Sequence, residues 1–377
     1  MFEPAIRLRH ELHRYPELSG KEQGTARRLV QFFCAFQPDS IIEQLGGNGV
    51  AVVFRGKEPG PTLLLRAEMD GLPISETIQT TYCSSRTGVA HKCGHDGHMA
   101  ILAAVGCHLA AKRPHEGTIV LLFQPAEESG MGANAVLRDA KFAAIKPHSV
   151  FALHNIPGLP LGELVLKKGT FACASRGMVV GLHGMSAHAA QPDTGRSPAL
   201  AVSEIVQQLT RLPQGIAPAG ENAFVTVVGA TLGEKAFGIA PGRAEIWATL
   251  RSEHDATMAK MIRYSEQVVQ ASALAGKLNF SIDYEDIFSA TVNSSTAVDL
   301  VRQAHGDNPL RIAEQPFRWS EDFGQFTARF PGALFGMGAG TKVADLHQPE
   351  YDFPDMLIPE AARLFMRLIG HCPAQFA

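Results

Sequence analysis

The 377-residue sequence lacks any strong charge imbalance: 34 Lys and Arg stand against 37 Asp and Glu, a formal net charge of −3. Such a balance gives no pull toward nucleic acid or an anionic membrane, so a small-molecule substrate is the expected partner. No apolar run approaches the roughly 20 residues that cross a bilayer as a helix. Residues 1–12 carry charges throughout and lack the apolar stretch of a secretory signal, which predicts a cytoplasmic protein. Cysteine is scarce, six residues at irregular spacing, so no disulfide framework is expected. The phosphate-loop pattern, the dinucleotide pattern G-x-G-x-x-G and the nucleophile elbow G-x-S-x-G are missing too. Nucleotide-binding and serine-hydrolase readings therefore lose their usual marks.

What is present is an ordinary globular composition, 45% hydrophobic and 19% charged, with 36 glycines and 23 prolines scattered as punctuation. A chain this long exceeds what one core usually organises, so two domains are expected. Helical spacing marks 5–12, and Ser19 is a candidate cap for a second helix over 21–36. Short, almost continuously apolar runs lie at 50–54, 62–65, 118–123, 149–153 and 333–336, with a helix over 98–112. Such runs suit strands covered by helices on both faces. They predict an α/β catalytic domain with a mostly parallel sheet flanked by helices, split between residues 1–171 and 286–377. Between those parts come a strand at 177–182, a helix at 197–212, strands at 224–231 and 244–251, a helix at 255–275 and a strand at 278–284. This β-α-β-β-α-β order predicts an inserted α+β ferredoxin-like domain over residues 172–285.

The chemistry-bearing residues gather where strands end. One run leads into Arg66-Ala67-Glu68-Met69-Asp70, another into Gln124-Pro125-Ala126-Glu127-Glu128, and a third into His154-Asn155. Just before a helix lies His91-Lys92-Cys93-Gly94-His95-Asp96-Gly97-His98. Ligand sites of open α/β sheets form outside the carboxyl ends of the strands, so one convergent site is expected. Thiolate, imidazole and carboxylate are donors that zinc accepts, and related divalent ions use them as well. Cys93 and His95, two apart, would share a side if that segment were extended. Glu127 and Glu128, being adjacent, would then face opposite ways, one as ligand and the other as general base, with the assignment open. His154 and His347 are single candidates, and His188 lies in the inserted segment. His10, His13, His108, His115, His148, His183, His254, His305 and His371 show no acidic setting in the sequence and are read as structural or surface residues.

Taken together these motifs resemble the M20 metallopeptidase family, in its amidohydrolase branch of hippurate hydrolases, auxin-conjugate hydrolases and N-acetyl-diaminopimelate deacetylases. The likeness runs from His13-Arg14-Tyr15-Pro16-Glu17-Leu18 through 66–73, 91–98, 123–128, His154, 188–192 and Glu321-Asp322-Phe323 to 347–353. It implies two divalent metal ions liganded by Cys93, His95, Glu128, His154 and His347, with Cys93 bridging. Zinc is the first expectation, with manganese, cobalt or nickel as alternatives. The resemblance makes Glu127 the base that activates water, Asp70 an acid that holds a ligand or the metals, and His188 a stabiliser of the carbonyl oxygen. It makes the inserted domain a lid and a homodimer or higher-oligomer surface. Two positions depart from the branch, which usually has Asp-Met-Asp at Glu68-Met69-Asp70 and Asn where Gly238 stands. Gly238 puts the expected substrate grip in question, and Arg251 is the candidate for the remaining carboxylate contact.

The functional expectation is metal-dependent hydrolysis of the amide bond of N-acyl amino acids or related small conjugates. A dipeptidase or aminopeptidase-like activity is the alternative, although no acidic subsite for a free amino terminus is visible. A non-catalytic binder of amino-acid conjugates is a third reading, against which every expected ligand and Glu127 are present.

Overall fold

The computed structural model describes residues 2–371, which fall into two compact units. The first takes in the chain through Phe171, Thr291–Gln315 and the chain from Asp322 onward, and the second is Ala172–Ala290 with Pro316–Glu321.

The core of the first unit is an eight-stranded sheet. Its strands are β1 (Ser40–Leu45), β2 (Gly49–Arg55), β3 (Glu58–Glu68), β4 (Glu116–Gln124), β5 (Ser149–Pro157), β6 (Leu164–Leu166), β7 (Leu310–Ile312) and β8 (Gly332–Gly340). They lie in the order β1-β2-β4-β3-β5-β8-β6-β7. The central four run parallel, with Leu65 opposite Leu121 and Phe151, and Leu153 opposite Phe335. The neighbouring β1–β2, β2–β4 and β8–β6 pairs are antiparallel. The side chains of β2, β4 and β5 are buried on both faces along most of their length, which explains the continuous apolar runs of the sequence.

Helices α1 (Glu3–Arg14), α2 (Gln23–Cys34), α3 (His95–Ala111), α4 (Ser295–His305) and α5 (Leu357–His371) pack around the sheet. α3 is buried nearly all round, between α1 and α5. α1 buries the stripe Ala5, Leu8 and Leu12 at helical spacing, and Arg9 and His13 lie on that same stripe. Ser19 does not cap α2. Glu22 occupies the N-cap position, while the Ser19 hydroxyl donates to Asp70 instead.

The second unit has four antiparallel strands in the spatial order Ala223–Leu232, Arg243–Ser252, Ala174–His183 and Asn279–Phe288. Alternate residues Met178, Val180 and Leu182, with Ile246, Ala248 and Leu250, form its core with Ile205, Leu209, Met258 and Met261 of two helices. A β-bulge between Val227 and Gly229 shifts the register of the first strand.

Candidate metal centre

Parallel strands deliver their carboxyl ends to one side of the sheet, and there the first unit collects its donors. β3 leads into Asp70, β4 into Glu127 and Glu128, and β5 carries His154. His154 lies inside β5 rather than at its end. Three sets of donor atoms each fall within 4.8 Å of one another: Cys93, His95 and His154; Cys93, Glu128 and His347; and His95, Glu127 and Glu128. They share members, so all six residues form one cluster.

Two sequence-based expectations about this cluster fail locally. The segment Cys93–His95 is not extended: Gly94 has φ +95° and caps α3, whose first residue is His95. A left-handed turn, not strand alternation, brings thiol and imidazole together. Glu127 and Glu128 also sit in a turn, after Ala126 at φ +53°, and both carboxylates reach toward His95. His347 adopts a left-handed conformation as well, φ +65°, and its N–H bonds the Lys92 carbonyl at 2.7 Å. Left-handed residues of this kind are strained unless glycine, and they gather at functional sites.

Hydrogen bonds choose the tautomers. His95 Nδ1 lies 2.8 Å from the Asp70 carbonyl oxygen, so it donates there and turns the Nε2 lone pair into the cluster. That buried Nε2 makes no hydrogen bond among the described residues, and it stands 3.8 Å from both Glu127 Oε2 and Glu128 Oε1. His154 Nδ1 donates to the Asn155 carbonyl at 2.9 Å, leaving Nε2 toward Cys93 Sγ at 3.6 Å. His347 Nε2 is 3.8 Å from Glu128 Oε1. Donor atoms that face one another at such separations, aimed inward by outer partners, suit a shared cation better than direct hydrogen bonding.

The electrostatics agree. Burial opposes charge on His95, yet its hydrogen bond to Asp70 and the carboxylates of Glu68 and Glu128 raise it to about 10. The site thus favours positive charge at that nitrogen, a proton or a metal ion. Burial, with the neighbouring His98, lowers His154 to about 3, so its ring is a neutral donor. Sulfur, nitrogen and oxygen donors converging in this way fit divalent metal ions.

Behind the donors lies a buried polar network that sequence reasoning missed. Arg66 bonds Glu68, Gln124 (2.9 Å) and Asp322 (2.6 Å). Glu68 also contacts His98 Nδ1 at 2.7 Å, so this longer carboxylate is engaged behind the donors. Burial opposes its charge, but Arg66 and His98 hold it well below the usual carboxylate range. His98 reaches Asn155, and Asn155 reaches the Tyr351 hydroxyl. On α1, Arg9 bonds Asp96 (2.8 Å), Asp355 (3.1 Å) and Asp352. His13, expected to have no acidic setting, lies 2.8 Å from Asp96 and 2.9 Å from Glu76. The signal available was the helical stripe of α1, on which both basic residues fall.

The other sequence candidates belong to the second unit. His188 pairs with Ile239 across a two-residue ladder, and its Nδ1 accepts the Ala190 N–H at 3.1 Å. The carbonyl of Gly238 accepts the Ala189 N–H at 2.9 Å, which sets Gly238 beside His188. Arg251 donates through Nη1 to the Arg318 carbonyl and to Ser320 Oγ, both at 2.9 Å.

A parallel-centred α/β sheet with Cys, His and Glu donors converging at its strand ends defines a metal-dependent hydrolase. The Peptidase family M20/M25/M40 signature matches residues 64–371, and the chain belongs to that family. It is a metal-dependent amidohydrolase. The chain is 29% identical over 367 residues to a hippurate hydrolase of Campylobacter jejuni, covering 96% of this chain and 94% of that protein. It is 28% identical to an N-acetyldiaminopimelate deacetylase of Exiguobacterium sibiricum, with 98% of each chain covered. The fold also matches a dinuclear metal binding peptidase of the M20 family from Bacillus subtilis, with TM-score 0.81 and 23% identity, over 98% of this chain and 97% of that one.

Proposed function

We propose that the chain hydrolyses the amide bond of N-acyl amino acids or related small conjugates, with Glu127 as general base. The observation that carries this reading is the placement of Glu127 Oε2, 3.8 Å from His95 Nε2 and inside the donor cluster. Cys93, His95, Glu128, His154 and His347 would hold two divalent ions, with zinc ahead of manganese, cobalt or nickel for this donor set. Bound there, such ions would polarise the substrate carbonyl and make water more acidic. Glu127 takes the proton of the attacking water and returns it to the departing amine. Asp70, by accepting the Glu128 N–H at 3.0 Å, keeps the neighbouring ligand in place.

His188 donates a hydrogen bond to the carbonyl oxygen as it gains charge, within its own chain or across a homodimer. Its Nδ1 accepts from Ala190, so the proton sits on Nε2, the tautomer this role needs. One such donor is worth roughly 3–4 kcal/mol in rate. Residues 172–285 serve as the lid and dimer surface. Gly238 leaves room for the substrate, whose carboxylate is met by the nitrogens of Arg251 other than Nη1.

The test is a screen of acetylated, benzoylated and longer-acyl amino acids against matching dipeptides, on protein reconstituted with each metal. Glu127→Gln should keep the metal and lower kcat by about 100-fold or more, in line with general-base catalysis. Ordinary activity in that variant would remove Glu127 from its role, and preference for dipeptides would replace the substrate class.

A further inference from the structure

The residue that aims Glu127 lies more than 100 positions earlier in the chain, in the connection between α1 and α2. Ala126, immediately before Glu127, holds φ +53°, a conformation that a residue with a Cβ keeps only under outside constraint. Hydrogen bonds on both sides fix the turn. Ala126 N–H donates to Glu22 Oε1 at 2.9 Å, and Glu128 N–H to Asp70 Oδ2 at 3.0 Å. Gly132 N–H bonds the Ala126 carbonyl at 3.0 Å, and Gly130 N–H the Glu127 carbonyl at 2.7 Å.

Glu22 is an unexpected residue to find at this place. It is fully buried, and it occupies the N-cap position of α2 without capping the helix by its side chain. Its carboxylate turns away to accept N–H groups from Ala126 and Gly20 (2.8 Å) on Oε1 and from Asn48 Nδ2 (2.8 Å) on Oε2. A local cap has thus been given up for a long-range contact. The same connection reaches Asp70, through the Ser19 hydroxyl at 2.7 Å and through Gly71 N–H to the Glu17 carbonyl at 2.8 Å. One short strap therefore grips the backbone on both sides of Glu127: directly at residue 126, and through Asp70 at residue 128.

We propose that Glu22 is a positioning residue for catalysis, which holds the left-handed Ala126 turn so that the Glu127 carboxylate faces the reacting water. This rests on the reading of Glu127 as the base. Misplacing a catalytic group by an ångström lowers a rate by about 100-fold, whereas ground-state binding by other residues is untouched.

The experiment uses full-length, metal-loaded protein and reads kcat, KM, metal content and thermal midpoint together. Glu22→Ala is expected to lower kcat about 10- to 100-fold, with KM within about 2-fold and metal content unchanged. Glu22→Gln, whose amide oxygen still accepts from Ala126 and Gly20, should stay within about 3-fold of wild type. Adding Ala126→Gly to Glu22→Ala should recover part of kcat, because glycine adopts this φ without strain. Should Glu22→Ala not fold, Glu22→Asp, one methylene too short to reach, must show the same loss of kcat. The proposal is overturned by an unchanged kcat in Glu22→Ala or Glu22→Asp, by a Gln variant as impaired as the Ala variant, or by metal loss in step with activity. An active Glu127→Gln control would instead overturn the general-base reading itself.

Discussion

Asp70 and Glu128 are joined by a hydrogen bond from the Glu128 N–H to Asp70 Oδ2, 3.0 Å long, and the Ser19 hydroxyl shares that oxygen at 2.7 Å. The Asp70 main chain meanwhile fixes the tautomer of His95 at 2.8 Å. Backbone and side chain of one residue therefore serve two different donors. Asp70→Ala keeps the carbonyl contact to His95 and removes the anchor of the Glu128 turn. Metal affinity, measured by competition with a chromogenic chelator, should fall about 10-fold, while Asp70→Asn, which keeps an acceptor oxygen, should lose less. Equal affinity in wild type and Asp70→Ala would show that the turn holds without it.

Glu76 gives a prediction in pH. Burial would raise its carboxyl, but bonds from His13, Lys92 and the Ser84 N–H bring it from 4.5 down to about 2. The folded state thus prefers the ionised form more than the unfolded chain does. Its contribution to stability is full above pH 4.5 and is lost as pH falls toward 2. That contribution is on the order of 1–3 kcal/mol. Urea unfolding of chelator-treated protein should show wild type more stable than Glu76→Gln at pH 6, with the gap closing between pH 4.5 and 2. A gap independent of pH would assign the effect to packing.

How much of this was legible in the sequence depends on the kind of residue. The main strands and helices were marked by apolar runs and by period, and 255–275 coincides with the helix Asp255–Ala275. The six candidate donors stand out in the sequence because thiol, imidazole and paired carboxylates are chemically conspicuous beside apolar runs. Their geometry does not: Ala126 and His347 take positive φ without the glycine that would advertise a turn. The buried ions escaped for a related reason. Arg9, Glu22 and Arg66 have the composition of surface residues, and partners far away in the chain, such as Asp355 or Ala126, help to make their burial tolerable. Strand β1, half exposed along most of its length, lacked the apolar run that marked its neighbours.

Gly238 supplies a prediction about specificity. A Cβ there would meet no atom within 4 Å, and the backbone is not left-handed. The glycine is therefore not demanded by the fold. Gly238→Asn should leave the thermal midpoint within about 2 °C of wild type. Beside His188, its amide adds a donor for substrate, so KM for N-acyl amino acids should fall with kcat little changed. A large drop in the thermal midpoint would show that the position needs glycine for folding.

Arg9 provides the most severe test of the network behind the metal centre. Its guanidinium is buried on α1 and meets Asp96, Asp352 and Asp355. Asp96 directly follows the donor His95, and the other two carboxylates lie a few positions after His347. Burial opposes the charge of Arg9, yet the three carboxylates hold it more firmly protonated than usual. Arg9→Met would leave Asp96, fully buried, paired with His13 at 2.8 Å but without its guanidinium. Removing one side of a buried ion cluster costs about 3–5 kcal/mol, so the urea midpoint should fall sharply. Arg9→Lys keeps the charge without the planar fork and should recover only part of the loss. Because Arg9 on α1 grips Asp96, next to the candidate donor His95, folded Arg9→Met should also bind metal about 10-fold more weakly. A stability loss with unchanged metal affinity would confine Arg9 to holding the fold, and would leave Asp70 and Glu22 as the residues that set the centre.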